Sequence, residues 1–354
     1  MIEVIQYPDV VFLEIGVSQQ SVNFEFRCLN TSNRSALIES IRAKGLDEQG
    51  NCLFSLSVDS NAMAPSVEVI PQRKLEPGGT LEVFNPLAEF PSEYPFERVD
   101  FSLRFISEDP SNLESSISVK PIVYEQKVLL DLPFEGICLV SDGHGFLAHH
   151  RRIPLLNPYV RKIGLTANSV RFAYDFMPSD SNGSVYKRDG LRLEDFYGWG
   201  KPVLSPGDGI VVSAAHDKAD NPVGQPLPSV SPETYERLRM QAFERLRKAI
   251  MDEVVGNHVI IDHGNGEFSL LDHMQQDSVV VEVGEQVTRG AFLGKIGNSG
   301  DSGTPHIHYG LQKGKDTLSS EGLPSRFRQF ELVLGMTTRR IENLCPDTGM
   351  IIKH

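Results

Sequence analysis

Apolar residues recur at every second position along much of this chain, and that period limits what the chain can fold into. Val22, Phe24, Phe26 and Cys28 alternate with Asn23, Glu25 and Arg27. Val99, Phe101, Leu103 and Phe105 alternate with Asp100, Ser102 and Arg104. Successive strand residues point to opposite faces, so this period sets one face against a core and the other towards water. Turn signals such as Glu76-Pro77-Gly78-Gly79 and Asp109-Pro110-Ser111-Asn112 separate the runs.

The fold class expected is mainly β. Residues 1–130 read as a β-sandwich, immunoglobulin-like in its series of short strands. No catalytic constellation is legible there, and the expected role is accessory: binding, spacing or dimerisation. Residues 131–335 read as a second β domain with Gly-rich turns such as Gly264-Asn265-Gly266. A helical insertion is expected at about 231–252. Ser231 is a good N-cap and Pro232 suits the first helical position. Leu238, Ala242, Leu246 and Ile250 follow at helical spacing, with Glu233 and Glu236 early and Arg245, Arg247 and Lys248 late. The insertion is expected to pack on the sheet by its apolar stripe, or else to wall a substrate groove. Residues 336–354 are expected to be a C-terminal tail.

The formal charge of -13 excludes the phosphate-neutralising surface that a nucleic-acid partner requires. No apolar run is long enough to cross a bilayer, so membrane insertion is not expected. Met1-Ile2-Glu3-Val4-Ile5-Gln6 does not open with the basic and apolar regions of a secretory signal. The default expectation is therefore a cytoplasmic protein. Cys28, Cys52, Cys138 and Cys345 lack metal-ligand spacing and are expected to be reduced thiols buried as small hydrophobes, with disulfides permitted if the protein is exported. Composition does not choose an oligomeric state.

The chemistry gathers in a few segments. In Gly303-Thr304-Pro305-His306-Ile307-His308-Tyr309-Gly310 two histidines stand two apart in a strand, so both imidazoles leave one face. Upstream lie Leu271-Asp272-His273-Met274 and Arg171-Phe172-Ala173-Tyr174-Asp175-Phe176. With Gly294-Lys295-Ile296-Gly297-Asn298-Ser299-Gly300, and in this order, these segments resemble the lysostaphin-like zinc endopeptidases from about residue 132 to about 332. The resemblance implies a lysostaphin-like antiparallel β domain and a zinc ion held by Asp175 and His308. It implies that His273 and His306 orient and deprotonate the attacking water. It implies a peptide substrate, in bacterial peptidoglycan or a related peptide, which would put the protein outside the cytoplasm.

One position departs from the family. A histidine is common four residues before the Asp ligand, and here Arg171 stands there, with no lone pair for a metal. The cluster His149-His150 is the candidate for the missing ligand. His149 is preferred because it follows Ala148, where related chains tend to have Ser or Asn, and His150 is the alternate. Adjacent strand residues face opposite ways, so one of the two is expected to point at the metal. Arg171 is then expected beside the site, pairing with a substrate carboxylate. The rival reading is a catalytically silent binding module that kept the groove and lost the metal. His258 and His263 have no counterpart role in the family pattern and are expected to be surface or turn residues.

Overall fold

The computed structural model of this 354-residue chain describes residues 1–61, 65–107, 113–143, 145–146, 148–162, 164–223, 231 and 254–354. The helix expected at 231–252, Ser231 apart, and the turn expected at 109–112 lie outside the described residues. The described chain is mainly β and divides into two units. The first takes Met1–Tyr124 and His144–Pro154, and the second takes Glu125–Gly143 and Leu155–His354.

In the first unit the later alternating run becomes the strand Arg98–Ser107. It lies antiparallel to Ala36–Leu46 on one side and to Leu113–Val119 on the other, with Cys52–Asp59 beyond. Val99, Phe101, Leu103 and Phe105 are all buried, as the period demands. The earlier run is split between two sheets. Gln19–Val22 pairs with Phe12–Ile15 and Glu89–Pro91, while Glu25–Asn30 pairs with Ile2–Tyr7 and Thr80–Phe84. Phe24 and Phe26 meet Phe101 edge-on, with centroids 5.4 and 5.2 Å apart. These rings form the middle of a core shared by facing sheets, the defining feature of a sandwich.

A buried ion pair ties the excursion 144–154 into this unit. Glu14 is fully buried on Phe12–Ile15 and accepts from Ser21 Oγ at 3.2 Å, Asn23 Nδ2 at 2.7 Å and Arg151 Nη2 at 2.7 Å. Arg151 is as buried as its partner. Removing one member of a buried pair strands the other charge, at a cost of about 3–5 kcal/mol. Arg151→Met is therefore expected to lower the free energy of unfolding by about 3 kcal/mol, read from a shifted urea midpoint. An unchanged midpoint would mean that the pair carries no net stability.

The second unit is dominated by one antiparallel sheet. Its strands run in the order Gln286–Val287, Gly209–Ala215, Asn257–Asp262, Phe268–Met274, Ile307–Gln312, Tyr174–Pro178, Ile137–Asp142, Ile351–Lys353, Phe327–Leu334 and Thr337–Leu344. Pro202–Leu204 and Phe292–Lys295 make a separate two-stranded ribbon. The expected C-terminal tail is corrected. Thr337–Leu344 pairs with Phe327–Leu334, and Ile351–Lys353 sits between Ile137–Asp142 and Phe327–Leu334. Ile341, Cys345 and Ile352 are buried, so these residues belong to the sheet. Ile351–Lys353 is too short to show a period, and Thr337–Leu344 is polar and mostly exposed, with Ile341 its one buried residue, so neither strand announces itself in the sequence.

The boundary near residue 130 also moves. Gln126 pairs with the backbone of Arg326 in both directions, accepting from its N–H and donating to its carbonyl. The buried Glu267 carboxylate accepts from the N–H groups of Lys127 and Val128. The second unit is thus fastened from residue 125 onward.

Candidate active site

Alternation in the second sheet separates an aromatic face from a polar one. Asp142, Asp175, His308 and Asp272 stand opposite one another on four successive strands and so share a face. Their neighbours Tyr174, Phe176, Ile307, Tyr309 and Leu271 take the other face and are buried. There Tyr174 stacks on Phe176 at 5.3 Å, and Phe327 meets Tyr174 and Tyr309 at 5.9 and 5.5 Å. Burial of these rings fixes the strands, and the strands fix the polar row.

His308 Nδ1 lies 3.0 Å from Asp175 Oδ1, and His306 Nε2 lies 3.4 Å from the same oxygen. His273 reaches the same face by a different route. It follows Asp272 directly and would point away in a regular strand, but its φ is +63°. This left-handed conformation swings the ring round to 4.9 Å from His306 and 5.8 Å from His308, centroid to centroid. Such a backbone costs on the order of 1–3 kcal/mol and persists where its surroundings hold it. Here Gly297 N donates to the His273 carbonyl at 3.1 Å, and Ser299 O accepts from His273 Nδ1 at 2.9 Å. The loop comes this close because residue 297 is glycine: a Cβ there would lie 2.3 Å from the Gln275 backbone.

The histidine tautomers follow from their partners. A carbonyl oxygen only accepts, so Nδ1 carries the proton in His273, against Ser299 O, and in His306, against Thr304 O at 2.8 Å. Nε2 is left as the basic atom of each ring. Burial, with the nearby His306 and His308, pushes His273 well below the usual histidine range, which keeps it neutral. Burial, with the charge of Asp175, pushes the Asp272 carboxyl well above the usual carboxylate range.

The structure brings Asp175, His273, His306 and His308 together within the second unit, and adds two carboxyls the sequence did not single out. Asp142 and Asp175 offer oxygens within 4.8 Å of each other. Asp272 carried a signal that could have been read, since it is an acid inside an otherwise buried strand. His149 and His150 belong to the excursion assigned to the first unit. They are not on a strand: His149 caps the 3₁₀ turn His150–Arg152 and the two rings lie 4.0 Å apart, so the expectation of opposed rings fails. Arg171 is also corrected. Its side chain is 1% exposed and faces Glu321 at 3.6 Å, so it presents no surface to a substrate carboxylate. His263 bridges Asp208 O and Ser269 Oγ, and His258 bridges Gly256 O and Ser213 Oγ, both structural.

An imidazole nitrogen and a carboxylate oxygen 3.0 Å apart are a donor pair suited to a divalent zinc ion, which takes N and O ligands in structural and catalytic sites alike. A catalytic site of this type uses three protein ligands, so the pair leaves room for one more.

Residues 245–320 match the profile of peptidase family M23, and the chain carries an M23 peptidase domain there. The resemblance to lysostaphin-like peptidases therefore holds at the level of the family. A peptidoglycan DD-endopeptidase, ShyA of Vibrio cholerae, is 39% identical over 56 residues, a match spanning 16% of this chain and 13% of that protein. Among solved structures, a mutant catalytic domain of the prophage-encoded M23 protein EnpA from Enterococcus faecalis aligns with a TM-score of 0.29 and 15% identity. That alignment covers 55% of this chain and 94% of that one. The catalytic domain of lysostaphin from Staphylococcus simulans aligns with a TM-score of 0.25 and 17% identity, over 45% of this chain and 80% of that one.

The Asp272 carboxyl generates a pH prediction for chelator-treated protein. In the unfolded chain it ionises near 3.8, whereas the folded protein holds it protonated to higher pH. Stability from this group is present in full below 3.8 and is lost as pH rises above it. Asp272→Asn keeps the shape without the proton. Its melting temperature is expected to exceed that of the wild type at neutral pH, with the gap closing as pH falls towards 4. A gap independent of pH would refute the assignment of a buried, protonated Asp272.

Proposed function

We propose that this chain is a zinc-dependent endopeptidase whose substrate class is peptide, with the peptide cross-links of bacterial peptidoglycan favoured. The observation that carries the reading is the gathering of Asp175, His273, His306 and His308 on one sheet face, with His273 and His306 each turning Nδ1–H to a backbone carbonyl. The M23 match and the peptidoglycan DD-endopeptidase relative support the substrate class. Action on peptidoglycan implies work outside the cytoplasm. Among the described residues no helix is long and apolar enough to cross a membrane.

Asp175 and His308 hold the metal in this proposal, with His149 as third ligand and His150 as its alternate. Zinc supplies a Lewis acid that polarises the scissile carbonyl and makes water a better nucleophile. The protein supplies the rest. The Nε2 atoms of His273 and His306 accept a proton from the attacking water and pass it to the leaving amine. Burial keeps His273 in the neutral form that this step requires.

Metal analysis and peptide hydrolysis test the roles separately. His308→Ala and Asp175→Ala are each expected to lose stoichiometric zinc. His306→Ala is expected to keep zinc and lose hydrolysis by about 10²–10⁴-fold. Tightly bound zinc in His308→Ala would overturn the ligand assignment, and a metal-free wild type would favour the silent binding module.

His149→Ala and His150→Ala decide the third ligand. Loss of zinc is expected in the first and retention in the second, with the reverse result assigning His150. Retention in both would remove the pair from the site.

A further inference from the structure

The loop 297–302, between the strand Phe292–Lys295 and the His-x-His strand, serves both imidazoles proposed to carry protons. Ser299 O accepts from His273 Nδ1 at 2.9 Å. Ser302 Oγ lies 3.3 Å from His306 Nδ1 and 2.7 Å from Asn298 Oδ1. The loop contains no regular structure that would fix its own shape, so its shape depends on what grips it.

Two adjacent side chains grip it. The Asp220 carboxylate accepts from Asn298 N at 2.6 Å through Oδ1 and from Gln276 N at 2.9 Å through Oδ2. One carboxylate thereby fastens the loop before His306 to the backbone three residues beyond His273. Asn221 Nδ2 donates to Gly300 O at 2.6 Å and Asn298 O at 3.0 Å. Its own backbone pairs with Asn298 as well: Asn221 N donates to Asn298 O, and Asn298 Nδ2 donates to Asn221 O, both at 2.9 Å. Asn298 is fully buried.

Asp220 and Asn221 sit at the start of the insertion between the strands Gly209–Ala215 and Asn257–Asp262. The far end of the insertion grips the same loop: Asp301 N donates to Val254 O at 2.7 Å, and Asn257 N donates to Ser299 Oγ at 2.9 Å. The Asn257 amide accepts from Lys218 N and donates to Lys218 O, each at 2.8 Å, which closes the two stems on one another.

From this arrangement we infer that Asp220 and Asn221 are positioning residues, which hold both imidazoles in the orientation that leaves Nε2 as the basic atom. The inference rests on the peptidase reading, in which His273 and His306 move the proton. The hydrogen bonds named for both residues run to backbone atoms. Each acts through the loop, and one change at the insertion stem disturbs two histidines on different strands together.

The test uses the full chain labelled with nitrogen-15 at histidine, at mildly alkaline pH, read by long-range proton–nitrogen correlation. In Asn221→Ala the ring-nitrogen shifts of His273 and His306 are expected to leave the Nδ1–H pattern together. Those of His263, held by Asp208 and Ser269 elsewhere on the sheet, are expected to stay. In peptide hydrolysis kcat is expected to fall roughly tenfold to a hundredfold, since small misplacements of reacting groups cost about that much. KM is expected to stay within about twofold, because the change acts on the rings that move the proton in the transition state and not on ground-state binding. If Asn221→Ala does not fold, Asp220→Asn, which keeps one acceptor oxygen, gives the same reading with a smaller shift. Unchanged patterns at His273 and His306, or a shift at His263 of equal size, would overturn the inference. If the wild-type protein cleaves no peptide, the peptidase reading falls, while the ring-nitrogen pattern still decides on the clamp.

Discussion

The division of one sheet into an aromatic face and a polar face is the constraint on which the site depends. Tyr174, Phe176 and Tyr309 are buried against Phe327 on one side, and the pleat turns Asp175 and His308 to the other. A slip of one residue in either strand would exchange the faces and bury the acid among rings. The cost of such a slip is several unpaired polar groups in an apolar layer, each worth on the order of 1–3 kcal/mol. The apolar core therefore does more than stabilise the sheet. It specifies which atoms can approach Asp175.

This explains how much of the site was legible. Asp175 was reached by the family resemblance, whereas the shared face of the His-x-His pair is a period-two pattern that can be read from letters alone. The alternation of Val99 to Phe105 was legible for the same reason. His273 was reached by family resemblance, because its geometry violates the period: only a positive φ brings it to the face of His306 and His308. The expected role of Arg171 failed, and the burial of Arg151 went unread, because long-range partners settle whether an arginine is buried. Glu321 and Glu14 lie 150 and 137 positions away, and no local pattern announces them. The last strands were missed because Ile351–Lys353 has no room for a period and Thr337–Leu344 is polar on both faces, with Ile341 alone buried.

The polar groups around the site show a second regularity. His306, His273 and Asp220 are held by backbone atoms of loops: Thr304 and Ser299 carbonyls for the imidazoles, Gln276 and Asn298 amides for Asp220. Backbone partners do not depend on which side chain stands at the donor position. The tautomers are thereby insulated from many substitutions in the loop and are sensitive to its path. Burial and the charge of Asp175 raise the Asp272 carboxyl beside His308 well above the usual carboxylate range, which opposes the gathering of further negative charge on this face.

The mutual pairing of Asn257 with Lys218 has an evolutionary corollary. Because the two stems meet, the chain between them departs from and returns to a single point on the sheet. Closing such an excursion costs free energy that grows only with the logarithm of its length, about 0.6 kcal/mol for each doubling. The stretch beyond the stems can therefore lengthen, shorten or be exchanged for another sequence with little penalty to the sheet beneath. The base of the insertion works as a socket, fixed by the chemistry it borders, into which different modules can be fitted.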